Sequence, residues 1–265
     1  MNLKTELSSW FITGFADIED CFTIKIQPNV KLKTKWKIRP VFSITLHLKN
    51  LYLWKVIKIA LDVGKISKSR EKAVIFAADY IKEMPVIINH FDKYPLITHE
   101  ISDYLLFKQC FEIIKQGEHL SKRGLLEIIG LKSSLNLGLP DNLKNEFPEL
   151  LLKDRPNYVF KDISDPFWLS GFTSGDGSFH IVVKKSNSKA GVLVQFSIHL
   201  RIRELEVLKS IANYLKDLYN TYRTEGANIT VLEQGASLLD KTTNTKVNSL
   251  VKKISIALEG KSVNL

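Results

Sequence analysis

Two carboxylates, Glu19 and Asp176, occupy matching places in two versions of one sequence pattern. The first version reads Phe11-Ile12-Thr13-Gly14-Phe15-Ala16-Asp17-Ile18-Glu19-Asp20-Cys21-Phe22, and the second Trp168-Leu169-Ser170-Gly171-Phe172-Thr173-Ser174-Gly175-Asp176-Gly177-Ser178-Phe179. A second match follows in the same order, Phe42-Ser43-Ile44-Thr45-Leu46 against Phe196-Ser197-Ile198-His199-Leu200. Two matches at nearly equal spacing make the chain a tandem duplication. Each acid falls at the C-terminal end of a predicted helix, where the macrodipole and a second carboxylate both disfavour negative charge. Alone, either acid would read as a solvated helix end. As a repeat-related pair they suit a shared divalent cation, and oxygen ligands favour Mg²⁺. A glycine inside a helix costs about 1 kcal/mol against alanine, so Gly14 and Gly171 need a reason. Close packing of helix 10–19 on helix 166–176 supplies one, and the Gly171-x-x-x-Gly175 spacing puts two glycines on one face. The two helix ends would then emerge together.

Elements on either side must hold these acids. Each half reads as helix, strand, strand, helix. Ser8 or Ser9 can cap the first motif helix, and Asp165-Pro166 supplies an N-cap followed by proline at the first helical position of the second. Alternation predicts strands over 23–27 and 41–47 in the first half, and over 180–184 and 192–201 in the second. Further strands are expected at 73–77 and 228–232, and helices around 51–61, 80–91, 102–115, 121–134 and 205–215. The stretch 140–165, with three prolines and scattered charge, reads as a linker between a first repeat (1–139) and a shortened second one (166–265). The tail from residue 234 offers one helix, around 247–258. The expected fold is α/β of the α+β type, built from α-β-β-α-β-β-α units.

The strands carry a second kind of chemistry. Over residues 31–39 the basic side chains Lys31, Lys33, Lys35, Lys37 and Arg39 alternate with others, so an extended ribbon would show five positive charges on one face. Such a ribbon fits a major groove and can touch phosphates and base edges. Lys25 and Gln27 belong to the preceding strand, and Ser43, Thr45 and His47 extend the polar face. The second half offers Lys184, Gln195, Ser197, His199, Arg201 and Arg203 in the same phase.

Composition points the same way. There are 38 Lys+Arg against 28 Asp+Glu, a formal net charge of +10 that favours a polyanionic partner. Lysine outnumbers arginine 31 to 7, and Ile, Asn, Phe and Tyr are frequent, a bias that AT-rich codons produce and that suggests an organellar gene. Two cysteines, Cys21 and Cys110, make no disulfide framework and suit a reducing compartment. The N-terminus has no signal-peptide or transit pattern, and charged residues interrupt every apolar run short of a membrane span. The expectation is a protein without a membrane partner, monomeric on its own.

The motif copies Ile12–Asp20 and Leu169–Gly177, in register with their strands, resemble the single-chain, two-motif LAGLIDADG homing endonucleases. The stretch Tyr94-Pro95-Leu96, the linker and Gly171-Phe172-Thr173-Ser174-Gly175 are similar to the fungal mitochondrial, intron-encoded branch. The resemblance covers about residues 8–215. It implies two antiparallel sheets forming a saddle over double-stranded DNA, and Mg²⁺-assisted hydrolysis of one phosphodiester per strand. Glu19 and Asp176 would be the catalytic acids and metal ligands, joined by the backbone carbonyls of Ile18 and Gly175. It also implies a mitochondrial location. Three departures keep a second reading open. Asp20 replaces the usual glycine after the first acid, Ile18 replaces a small residue before it, and the second half lacks closing helices. A catalytically degenerate member binding structured RNA, as a maturase or as a component of an organellar ribonucleoprotein, accommodates all three.

Overall fold

The sequence repeat is also a repeat of structure. In a computed structural model describing residues 7–18, 21–185, 190–221, 227–228, 236–237 and 240–242, the chain divides into two units, residues 1–161 and 162–265. The first unit opens with helix α1 (Ser9–Ala16), strands β1 (Phe22–Pro28) and β2 (Trp36–His47), a 3₁₀ turn and helix α2 (Leu51–Leu61). Strands β3 (Lys65–Arg70) and β4 (Ala73–Ala78) and helix α3 (Met84–Lys93) complete the expected α-β-β-α-β-β-α unit. Helices α4 (Glu100–Lys115), α5 (Lys122–Lys132) and α6 (Asp141–Glu146) follow. The second unit repeats the opening: α7 (Pro166–Asp176), β5 (Gly177–Lys185), β6 (Ala190–Ile198), a 3₁₀ turn and α8 (Leu205–Thr221). Short strands β7 (Ala227–Asn228), β8 (Ala236–Ser237) and β9 (Asp240–Thr242) come after it. The strand expected at 228–232 falls largely outside the described residues, and the helix expected at 247–258 falls wholly outside them. Among the described residues no helix is long and apolar enough to cross a membrane.

Hairpin register reproduces the sequence match. Phe22 pairs with Phe42 across β1 and β2, and their repeat equivalents Phe179 and Phe196 pair across β5 and β6. Ring centroids lie 5.4 and 4.8 Å apart. In the first unit the sheet order is β1-β2-β4-β3, antiparallel throughout. Period-two alternation sends Phe22, Ile24, Phe42, Ile44, Val74 and Phe76 to one face, where all are buried. Phe22 there meets Phe91 of α3 and Tyr104 and Phe107 of α4. Helix α2 adds Trp54, Ile57 and Leu61, a stripe at helical spacing, with Trp54 stacked on Phe76. At Gly64, φ is +80°, and a Cβ would sit 2.6 Å from the Phe76 ring. Only glycine meets both demands where α2 hands over to β3.

Helix α1 is anchored at two points. Buried Thr13 donates its hydroxyl to the Tyr94 carbonyl (2.9 Å) and therefore accepts from His90 Nε2 (3.2 Å). Burial lowers the His90 pKa to about 4, so the ring is neutral. Just past the helix, Asp17 is 4% exposed. Its carboxylate accepts from Ile97 N (3.0 Å), Thr98 N (3.1 Å) and Thr98 Oγ1 (2.7 Å). The turn that starts α4 is thus fixed to the end of the first motif helix.

The stretch expected as a linker is largely built into the first unit. Helix α6 buries Leu143, and Phe147 packs on Trp36. Arg155 reaches buried Asp103 at 2.6 Å, and the Tyr158 hydroxyl donates to the Ile97 carbonyl at 2.7 Å. Prolines and charges dominate this stretch in composition, but its few apolar and hydrogen-bonding residues decide where it lies.

Two outcomes follow for stability. Asp17→Asn would turn an amide donor toward donors, so it should cost on the order of 2–3 kcal/mol in denaturant unfolding; a change within error would remove Asp17 as an anchor. For His90 the folded pKa lies below the unfolded value near 6.5, so its neutral form supports folding fully above that pH, and the support is lost as pH falls toward 4. Between pH 7.5 and 5 this one group should cost the wild type roughly 2 kcal/mol that His90→Gln is spared. Parallel pH-stability curves for the two proteins would contradict it.

Candidate nucleic-acid interface and motif acids

The face of the first sheet opposite the aromatic core is polar and basic. Lys25 stands opposite Arg39, and Gln27 opposite Lys37, across β1 and β2. Farther along β2, Ser43 pairs with Ala77 and through it with Lys65, and Thr45 with Ile75 and Ser67. His47 pairs with Ala73, which Arg70 flanks beyond a register shift. The expected repeat unit requires strand β3, but alternation did not place a strand at Lys65–Arg70. Its alternation, Lys65-Ile66-Ser67-Lys68, is a strand signal, but it is charged enough to pass for a loop. His47 Nδ1 accepts from Lys49 N (3.2 Å), which leaves the proton on Nε2. Past the end of β4, Asp79 binds Lys65 through both oxygens (3.0 and 3.3 Å) and lies 3.7 Å from Arg39. This carboxylate raises the Lys65 pKa.

The expected five-charge ribbon is not one extended strand. Residues 29–35 form the β1–β2 loop, so exposed Lys31, Lys33 and Lys35 belong to its turn, and only Lys37 and Arg39 lie on β2. Pro28 lacks an N–H, and Asn29 then starts the turn by accepting from Lys31 N (3.1 Å). Lys35 closes it in the left-handed region, φ 61°.

The second hairpin also differs from expectation. Strand β6 stops at Ile198, so His199 and Arg201 follow it in exposed coil, and Arg203 sits in the 3₁₀ turn, 3.2 Å from Glu204. A run of alternating residues does not reveal where hydrogen-bonded pairing stops; here β5 has no residue left to pair beyond Gly177. Ser197, expected on an open face, is 3% exposed between Ser178 of β5 and Ser237 of β8. Lys184 pairs with Gly191, and Gln195 with His180.

Asp176 ends helix α7. Asp165 caps the start of that helix by accepting from Phe167 N (2.8 Å), with Pro166 at the first helical position as expected. Trp168 and Phe172, stacked at 4.7 Å, are buried. Thr173 and Ser174 satisfy their hydroxyls on carbonyls one turn back, so α7 tolerates a polar end. Strand β5 starts at the very next residue, Gly177, where a Cβ would lie 2.4 Å from the Thr173 carbonyl oxygen. The acid is therefore held at a junction with no slack. Burial raises its pKa, and His199 partly offsets that. A carboxylate half withdrawn from water at a helix C-terminus is a group that a cation would stabilise. Gly175, one residue before it, is exposed. In the first repeat α1 ends at Ala16, Asp17 is used as an anchor and Ile18 is half-buried, while Glu19 and Asp20 lie outside the described residues. Among the described residues no three His, Cys, Asp or Glu side chains form a metal cluster.

The profile of the family described as "LAGLIDADG endonuclease" matches residues 12–111 and 169–256. Two Neurospora crassa proteins, "Probable intron-encoded endonuclease 3" and "Probable intron-encoded endonuclease 2", are 32% and 33% identical over 80% and 78% of this chain. The chain spans only 41% and 48% of their lengths. The structure of LAGLIDADG meganuclease I-CpaMI bound to uncleaved DNA is similar at TM-score 0.79 and 37% identity, covering 96% of this chain and 92% of that one. With a motif helix leading into a paired hairpin in each repeat, and the profile matching both, the chain belongs to the LAGLIDADG endonuclease family.

Proposed function

We propose that this protein is a homing endonuclease that binds double-stranded DNA and hydrolyses its phosphodiesters with Mg²⁺. The observation that carries the reading is the outer face of the first sheet, where Lys25, Lys37, Arg39 and Lys65 stand on three of its four strands. Four strands at about 4.8 Å spacing span about 14 Å, close to the roughly 12 Å major groove. A face of that width can contact both groove walls while Ser43, Thr45 and His47 meet base edges. The likeness to a meganuclease bound to DNA supports the same partner.

Asp176 and the Gly175 carbonyl would hold a metal ion, with Glu19 and the Ile18 carbonyl as their repeat counterparts. The withdrawn, helix-end carboxylate of Asp176 fits that role, since burial disfavours its ionised form and His199 offsets that only in part. Mg²⁺ bound there would stabilise charge building on the phosphate and lower the pKa of an attacking water. The protein's own part is to keep Asp176 at the helix–strand junction and the duplex on the sheet. One chain carries both motif copies, which suits a monomer. The amino-acid bias toward Lys, Ile, Asn, Phe and Tyr and the intron-encoded relatives favour a mitochondrial gene. Asp20 and Ile18 favour the RNA-binding, non-catalytic alternative.

Two experiments test this. On supercoiled DNA carrying the uninterrupted insertion site, wild type should cut with Mg²⁺ and not with EDTA. Asp176→Asn and Glu19→Gln should each slow cutting on the order of a hundredfold or more with binding retained. Wild type that binds but never cuts would end the nuclease reading and leave the degenerate one. Separately, replacing Lys25, Lys37 and Arg39 with Ala should flatten the slope of log K against log[salt] by about 2–3. Replacing the loop residues Lys31, Lys33 and Lys35 should flatten it less. An unchanged slope in the first variant would show that the sheet face is not the contact surface.

A further inference from the structure

Asp79 is out of place on a surface meant for a polyanion. It lies two residues after Ala77, which pairs with Ser43 on one side and Lys65 on the other, so alternation keeps it on the outer face. There it stands between Arg39 of β2 and Lys65 of β3. A carboxylate in that position repels phosphates and weakens general affinity for nucleic acid.

What it gives in return is position. Lys65 Nζ is bound to both Asp79 oxygens and lies 5.4 Å from the centre of the Tyr80 ring. Its backbone is fixed as well, because the N–H of Gly64 donates to Glu83 Oε1 at 3.1 Å. The same Glu83 accepts from Tyr80 N at 3.3 Å, which holds the Asp79–Tyr80 corner. Arg39, only 36% exposed, is drawn toward the same carboxylate and stands opposite Lys25 on the next strand. A lysine that is free swings to whichever phosphate is nearest. One that is held keeps its N–H donors at a set height above the sheet, loses less freedom on binding, and discriminates by where acceptors lie. In a major groove the acceptors that match such donors are N7 and O6 of guanine.

We propose that Asp79 is a specificity-determining positioning residue: it holds Lys65 and Arg39 as fixed donors for base acceptors rather than as mobile phosphate contacts. This rests on the reading of the outer face as the DNA-binding surface. Asp79 lowers affinity for any duplex and raises selectivity among duplexes.

The test is binding selection from a randomised double-stranded DNA library, using the full chain as wild type, Asp79→Asn, Asp79→Ser and Lys65→Met. Salt titrations on one unrelated duplex accompany it. Wild type should enrich a consensus. Both Asp79 variants should lose information at one or two adjacent positions, the same ones that Lys65→Met weakens, and keep the rest. Their affinity for the unrelated duplex should rise a few-fold, with a salt slope steeper by about 1 as Lys65 becomes free to neutralise a phosphate. A merely structural Asp79 would instead lower both affinities and blur every position. That result, or a full consensus in both Asp79 variants, overturns the inference while leaving the DNA-binding reading in place. A wild type that enriches no sequence overturns the DNA-binding reading itself, and the inference with it.

Discussion

A buried carboxylate must be satisfied, and in the first unit Asp17 meets that demand with three donors from one short turn. The arrangement reaches far along the chain. Ile97 and Thr98 donate to Asp17 and lead directly into α4, whose Tyr104 and Phe107 close over Phe22 of β1. The Ile97 carbonyl in turn accepts from Tyr158, and the His99 carbonyl from Arg155. The end of the motif helix, the start of α4 and the last stretch of the first unit therefore share one anchor. Thr13 and His90 add a second anchor one turn earlier on the same helix. A helix of eight residues is too short to be stable by itself, so tertiary contacts must fix it and, with it, the chain that follows.

Much of the fold was legible in the residues. The duplication could be read because each copy keeps the aromatic residues that its hairpin must pair, Phe22 with Phe42 and Phe179 with Phe196. The helix start at Asp165-Pro166 could be read because cap chemistry is local. Less legible was where pairing stops. Lys31, Lys33 and Lys35 alternate as a strand would, yet Pro28 and Asn29 had already ended β1, and a strand needs a partner. His199 and Arg201 continue the pattern of β6 past the last residue of its partner. Of the site, the acids and the basic face were visible in sequence. The roles of Asp17 and Asp79 were not, since each depends on donors that lie far along the chain or across strands. Asp17 in particular looks like one of three clustered acids until Thr98, 81 residues away, is placed against it.

The two repeats hold their hairpins in the same register but not with the same chemistry. Counting from the paired phenylalanines, the rung Lys25–Arg39 of the first hairpin corresponds to Val182–Leu193 of the second. The next rung, Gln27–Lys37, corresponds to Lys184–Gly191. Two cations facing each other in one repeat are thus two aliphatic residues in the other, and a polar–basic rung has moved its lysine to the opposite strand. A homodimer could not do this, because its two faces share one sequence and a twofold target must mirror them. Joining the copies in one chain removes that constraint while the backbone pairing, set by Phe22–Phe42 and Phe179–Phe196, stays the same. On the proposed function, the two halves of the bound DNA meet different side chains at equivalent rungs, so the sequence they select need not be palindromic. The register is the part that duplication kept, and the rungs are where the two halves became free to differ.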